Sequence, residues 1–181
     1  MTLAVVLAAG GGSRFTAPEH KLLAPVGGRP VVAWAVAAAV DSGLPVLVVT
    51  GAVDLAGLLP AGVATCHNPD WAAGQATSLQ AALGAAAGHE AVVVGLGDQP
   101  FVEAEAWRLV AAGDTPIVVA TYAGRRGNPV RLAAEVWPRL PVTGDEGARA
   151  LMRGMPELVS GVACPGNPAD IDTVGDLERW S

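Results

Sequence analysis

Four short Val-rich runs, Leu3–Ala8, Pro45–Thr50, Ala91–Gly95 and Ile117–Tyr122, are each flanked by turn residues and constrain this chain more than any other feature. They are too brief for helices and too evenly apolar for strands with one wet face, so they are expected to be buried on both sides. Val63–Cys66 gives a weaker fifth strand. The stretches between them suit helices. Pro30–Asp41 has a proline fit for the first turn and Gly43 just past its end, and Gln75–Ala87, Glu103–Ala112 and Glu146–Arg153 follow. Strand and helix alternating in this way predict an α/β fold, with a mainly parallel central sheet between two helical layers. With no linker, repeat or low-complexity tract, residues 1–181 are expected to form one domain. Ligands in such sheets bind beyond the C-terminal ends of the strands. The segments after Ala8, Cys66, Gly95 and Tyr122 are therefore where chemistry is expected.

Composition narrows the partners. The apolar stretch Val31–Val40 lies between Arg29 and Asp41 and is too short to span a bilayer, so no membrane partner is expected. The first residues show no basic n-region and run straight into a strand, which predicts a cytoplasmic protein. Cys66 and Cys164 have neither metal nor redox spacing and are expected to be reduced structural thiols. A net charge of −6 argues against a nucleic-acid duplex. Small anions remain open, because a metal ion and a few local cations can hold them.

The loop after the first strand, Ala9-Gly10-Gly11-Gly12-Ser13-Arg14, exposes bare backbone amides that can form an anion nest. Phe15 stands where a dinucleotide fingerprint needs glycine, and Leu22 follows Lys21 where a Walker loop needs Ser or Thr, so both common readings fail. Lys21 is the only lysine in the chain. A compact ammonium beside a glycine loop suits a phosphate, although a drift of other lysines to arginine would leave the same pattern. Asp98, after the strand Ala91–Gly95, is either a metal ligand or a turn former before Pro100. It lies too far from the helix near Glu103 to cap it, which favours the metal. In Asp170-Ile171-Asp172-Thr173 both aspartates are expected on one side of an extended segment with Ile171 inward, and either can be a second ligand. Thr173 and Asp176 have capping-box spacing for a last helix, Val174–Trp180.

Three further segments complete the pattern. Asn68 through Gln75, with Ser78 beyond, offers backbone amides near a base or ribose, or is an ordinary helix start. Arg125-Arg126-Gly127-Asn128-Pro129 offers two cations to an anionic acceptor, or is a solvated hairpin tip. Thr143-Gly144-Asp145-Glu146 is expected to cap its own helix. His20, His67 and His89 show no metal-ligand spacing and receive no role.

Taken together, these stretches resemble the nucleotidyltransferases that mature the molybdenum cofactor, and most closely the molybdopterin cytidylyltransferase group. The matching residues are Leu7-Ala8-Ala9-Gly10 through Arg14 and Lys21, Asn68 through Gly74 with Ser78, Gly97-Asp98-Gln99-Pro100, Gly127-Asn128-Pro129, Gly144-Asp145 with Gly147-Ala148, and Asp170 to Thr173. The resemblance implies a three-layer Rossmann-like nucleotidyltransferase fold. It implies transfer of CMP from CTP to a molybdopterin-type acceptor with release of pyrophosphate, and a molybdenum hydroxylase as client. It implies that Leu7, Ala8, Ala9, Gly10, Gly11 and Gly12 border the nucleotide, that Arg14 and Lys21 neutralise the triphosphate, and that Gly74, Gln75 and Ser78 line the nucleotide side. Asp98 and Asp172 would hold Mg²⁺, and Arg125, Arg126 and Asn128 would face the acceptor. Catalysis would then rest on Lys21, Arg14 and Asp98 through positioning and charge.

Guanylyl-transferring relatives more often carry glycine in place of Ala9, which favours CTP over GTP. The stretch from Arg14 to Lys21 is about two residues longer than usual for the group, Phe15 replaces a common methionine, and Asn128 replaces a common histidine. Rival readings are a transferase acting with GTP or on a sugar phosphate, phosphoenolpyruvate or phospholactate, a NAD(P)-type oxidoreductase, and a non-catalytic cofactor-delivery protein. Phe15 speaks against the oxidoreductase, and the presence of both carboxylates speaks against the delivery protein.

Overall fold

The computed structural model describes residues 1–180. In chain order the elements are β1 (Thr2–Ala8), β2 (Pro25–Val26), β3 (Arg29–Pro30), α1 (Val31–Asp41), β4 (Val46–Thr50), β5 (Ala64–His67), α2 (Gln75–Ala85), β6 (Ala91–Leu96), α3 (Ala104–Ala111), β7 (Ile117–Tyr122), β8 (Arg125–Ala133), α4 (Arg149–Gly154), β9 (Val159–Ala163) and α5 (Val174–Trp180). Seven strands form one sheet in the order β5-β4-β1-β6-β8-β7-β9, and β2 pairs with β3 apart from it. Only β8 runs against its neighbours in the large sheet. The fold is the expected three-layer, Rossmann-like arrangement with a mostly parallel sheet.

The alternation within β1 shows why the layers form. Leu3, Val5 and Leu7 face one side, where Leu79, Ala82 and Leu83 of α2 and Leu151 and Met152 of α4 cover them. Ala4, Val6 and Ala8 face the other, against Val32 and Val36 of α1 and Trp107 and Val110 of α3. A strand buried on both faces needs no polar face, so its sequence reads as one apolar run. Helix α1 ends at Ser42, and Gly43 follows at φ +82°, the left-handed position that a β-carbon disfavours.

Besides the short pair β2 and β3, two strands of the large sheet were not expected. In β8 the ladder shifts register, so that Val119 pairs with Val130 while Ala120 pairs with Gly127. Asn128 and Pro129 form the extra residues of that bulge, where a proline without an N–H costs no ladder bond. The edge strand β9, Val-Ser-Gly-Val-Ala, is half exposed and lacks the apolar density that marks the central strands. Helix α4 is also shorter than expected: it begins at Arg149, and residues 146–148 belong to the loop before it.

Candidate active site

Parallel pairing of β1 with β6 aligns Leu7 with Leu96, so the loops leaving both strands emerge side by side. The first is the glycine loop and the second carries Asp98. The Ala9 carbonyl accepts a hydrogen bond from Ala52 N–H (3.0 Å), which ties the loop to the end of β4. The Trp71 ring lies so close over Gly11 that an added β-carbon would come within 2.7 Å of it. A side chain at that position would have to push the ring aside.

The longer approach from Arg14 to Lys21 is held at two points. Phe15 is buried with Ala24, Val26, Val31 and Ile171 in a small cluster of their own. His20 accepts the Leu22 N–H at Nδ1 (3.2 Å), so its proton sits on Nε2, which donates to the Gly10 carbonyl (3.1 Å). Burial, with help from the Lys21 charge, lowers the His20 pKa against the opposing pull of the Gly10 and Gly11 carbonyls. Sequence reasoning gave His20 no role, since a brace of this kind has no spacing signature.

Lys21 Nζ donates to Asp98 Oδ2 at 2.6 Å and to Asp172 Oδ1 at 2.8 Å, and its side chain is only 12% exposed. Arg14, three-quarters exposed, reaches Asp172 Oδ2 at 3.0 Å. Ile171 is fully buried and donates its N–H to the Asp98 carbonyl (2.9 Å), which seats Asp172 beside the lysine. Asp170 takes a different partner: its Oδ1 accepts from Gln99 Nε2 (2.7 Å). Burial first, then the nearby Asp98 charge, pushes the Asp170 carboxyl above the usual range. Gln99 also accepts from Asn128 Nδ2 at Oε1 (3.2 Å), so one buried amide joins the carboxylate cluster to β8.

The burial of Lys21 alone would lower its pKa, but the Asp98 charge and the hydrogen bonds to Asp172 and Asp98 outweigh that and raise it above 10.5. A raised folded-state pKa gives stability that is complete below the unfolded value and is lost as pH climbs through the folded one. Burial raises the only tyrosine, Tyr122, above its ordinary 10.0, and Cys164 above 9.0, with the same sign. Urea-unfolding free energy is therefore expected to fall as pH rises beyond about 9. Lys21→Met and Tyr122→Phe should each flatten part of that decline, and a flat profile to pH 11 in the wild type would contradict the assignment.

Asp98 Oδ1 is buried with no hydrogen-bond partner, which is costly for a carboxylate oxygen unless a cation completes it. Asp98 and Asp172 already share one cation, the lysine. Among the described residues no group of three or more His, Cys, Asp or Glu is placed to hold a metal. A hard divalent ion held by one or two carboxylates, with substrate phosphates and water for the rest, matches this donor set.

The far wall comes from the start of α2. Asn68, nearly fully buried, donates through Nδ2 to Thr77 Oγ1 (2.9 Å) and Ser78 Oγ (3.0 Å), and its Oδ1 accepts the Asp70 N–H (3.0 Å). Gly74 sits at φ +110°, and a β-carbon there would lie 2.6 Å from the backbone of Gly144. The Gly144 carbonyl accepts from Ala76 N–H (2.9 Å) and Asp145 Oδ1 from Gln75 N–H (3.3 Å). This corrects the expectation that residues 143–146 cap their own helix. Asp145 caps α2 instead, and α4 begins without a side-chain cap.

Leu7, Ala8, Ala9, Gly10, Gly11, Gly12, Arg14, Lys21, Gly74, Gln75, Ser78, Asp98 and Asp172 all line one cleft of about 680 Å³. Asp170, the other candidate ligand, lines it too, with Trp71, Asp145 and Arg149, of which Arg149 had no assignment from sequence. Arg126 and Asn128 line an adjoining cavity of about 300 Å³, whereas Arg125, at the β7–β8 turn, lines neither.

A glycine loop, a lysine and two carboxylates gathered at the strand ends of a mostly parallel sheet define a cleft of the Rossmann-like nucleotidyltransferase type. Residues 4–160 match the model of the MobA-like NTP transferase domain, and the chain belongs to that family. Among solved structures, Rv0371c from Mycobacterium tuberculosis H37Rv is 29% identical with a TM-score of 0.87, over 99% of this chain and 96% of that one. A second structure of it, in complex with manganese, gives 27% and 0.82 over 99% and 97%. A nucleotidyl transferase from Methanothermobacter thermautotroptrophicus is 27% identical with a TM-score of 0.82, over 99% and 95%. The 2-C-methyl-D-erythritol 4-phosphate cytidylyltransferase of Xanthomonas euvesicatoria is 33% identical over 156 residues, 80% of this chain and 54% of that protein. The chain thus spans about half the length of that curated relative. Among the described residues, no helix is long and apolar enough to cross a membrane.

Proposed function

We propose that this chain is a single-domain, Mg²⁺-dependent nucleotidyltransferase that moves CMP from CTP to the phosphate of a molybdopterin-type acceptor. The observation that carries the reading is the Lys21 ammonium, held between Asp98 and Asp172 beside the glycine loop. This is a set of charges suited to a metal–triphosphate and without use in a dinucleotide site. Ala9 lines the cleft, in keeping with the smaller base, and the name of the Xanthomonas relative favours CTP as well. The manganese of the mycobacterial structure supports a divalent ion, for which Asp98 and Asp172 would be the protein ligands. Bound there, the ion would neutralise charge on the phosphates.

The residues of the chain do the rest by position. An acceptor phosphate oxygen forms a bond to the α-phosphorus, the bond from that phosphorus to the α–β bridging oxygen breaks, and the electron pair leaves with pyrophosphate. A phosphate dianion needs no general base, so the reaction does not call for a Ser-His or Cys-His pair. Backbone amides of Ala9 to Gly12 hold the leaving phosphates, Lys21 and Arg14 stabilise their growing charge, and Gln75 and Ser78 face the nucleoside. Arg126 and Asn128 border the acceptor.

The test is pyrophosphate release with each of the four ribonucleoside triphosphates, Mg²⁺ and molybdopterin. CTP with molybdopterin is expected to give the fastest release. If molybdopterin adds nothing to the rate with CTP alone, the acceptor is wrong. If GTP is preferred, the base is wrong.

A further inference from the structure

The two cavities meet at a boundary made by three residues, Leu7, Gln75 and Arg149, which line both. Arg149 alone among them is charged. Its exposed guanidinium has no ion-pair or hydrogen-bond partner among the described residues. Its neighbour Arg153 is different, since Glu146 holds it at 2.6 Å and cancels its charge. Arg149 opens α4, and the loop that leads into it is fixed from the other side by the contacts of Gly144 and Asp145 with the start of α2. A free cation is thus held at the one place where a group in the smaller cavity meets a group in the larger one. The smaller cavity has a floor of apolar side chains, among them Leu79, Val119, Val130 and Met152, and its other cation without a side-chain partner among the described residues is Arg126.

We propose that Arg149 grips the phosphate of the acceptor and holds one of its oxygens facing the α-phosphorus of the nucleotide. The inference rests on the nucleotidyltransferase reading and adds to it the residue that aligns the nucleophile. Two phosphate groups must approach each other for the new anhydride bond to form, and their mutual repulsion is the main obstacle. A planar guanidinium at the boundary can bind the attacking phosphate through two N–H groups and offset part of that repulsion. Lys21 cannot serve both ends, because it is committed to the carboxylates and the triphosphate side.

The test uses a minimal phosphomonoester, phenyl phosphate, titrated calorimetrically into the full chain saturated with Mg²⁺ and α,β-methylene CTP, which cannot be cleaved. Arg149→Ala is expected to weaken phenyl phosphate binding by about tenfold or more, with Arg149→Lys between it and the wild type, while affinity for the CTP analogue changes less than about threefold. Arg149 is exposed, and matching melting temperatures would show that the variants remain folded. Phenyl phosphate binding within about threefold of wild type in Arg149→Ala would overturn the proposal, as would no binding to the wild type. An equal loss for the CTP analogue would make Arg149 a nucleotide ligand and overturn it too. If the wild type fails to bind the CTP analogue at all, the nucleotidyltransferase reading falls first and takes this proposal with it.

Discussion

Lys21→Ala is expected to lower the rate of pyrophosphate release by about 10²–10³, or roughly 3–4 kcal/mol of transition-state stabilisation, and yet to tighten binding of Mn²⁺ in the absence of nucleotide. The two effects have one cause. In the structure the ammonium lies between Asp98 and Asp172, 2.6 and 2.8 Å from their oxygens, where it acts as their counter-ion. A divalent ion arriving alone must displace it, whereas an ion arriving on a triphosphate brings phosphate oxygens to which the ammonium can turn. Removing Lys21 leaves two partly buried carboxylates without that counter-ion, and they should attract a free divalent ion about tenfold more strongly. Electron paramagnetic resonance of free Mn²⁺ reads the binding, and steady-state kinetics read the rate. A variant with full rate would remove Lys21 from catalysis. A variant with weaker Mn²⁺ binding would show that the lysine does not compete for the carboxylates.

Asp98→Asn is expected to cost at least as much, about 10³ in rate, because the substitution keeps the shape of the side chain and deletes the charge on which a metal would depend. Asp98 is the carboxylate whose Oδ1 is buried without a partner, and among the described residues Lys21 is the only side chain bonded to its other oxygen. Asp172→Asn should follow it more mildly, since Arg14 already shares that carboxylate. Asp170→Asn is the contrast: its oxygen is engaged by Gln99, so loss of its charge should leave Mn²⁺–CTP binding within about threefold of wild type. Asp98→Asn as active as wild type would refute the metal assignment while leaving the nucleotide cleft untouched. A large loss in Asp170→Asn would transfer the second ligand from Asp172 to Asp170.

Much of this arrangement was legible before folding, and particular residues show where legibility stopped. The strands β1, β4, β6 and β7 announce themselves as valine runs because both of their faces are buried. Strand β8 did not, because Gly127, Asn128 and Pro129 interrupt its pattern where the ladder bulges. The turn chemistry of Thr143 to Glu146 was read correctly as a cap but assigned to the wrong helix. Local sequence shows that Asp145 can accept a backbone N–H, not which one, and here it is Gln75, 70 residues away. His20 and Gln99 were missed for the same reason. Each is a polar side chain whose partners, Gly10 and Leu22 for one, Asp170 and Asn128 for the other, become neighbours only when loops converge.

By itself the sequence determined the layers, the strand ends at which chemistry gathers, and the residue types that supply it: a glycine loop, one lysine and acidic residues after two later segments. It could do so because burial and backbone freedom act over a few residues at a time. The tertiary structure alone decided which charges meet. Lys21 lies 77 residues from Asp98 and 151 from Asp172. They come within hydrogen-bond distance because β6 pairs with β1, and because Ile171, buried beside Phe15, brings the last acidic segment back over both loops.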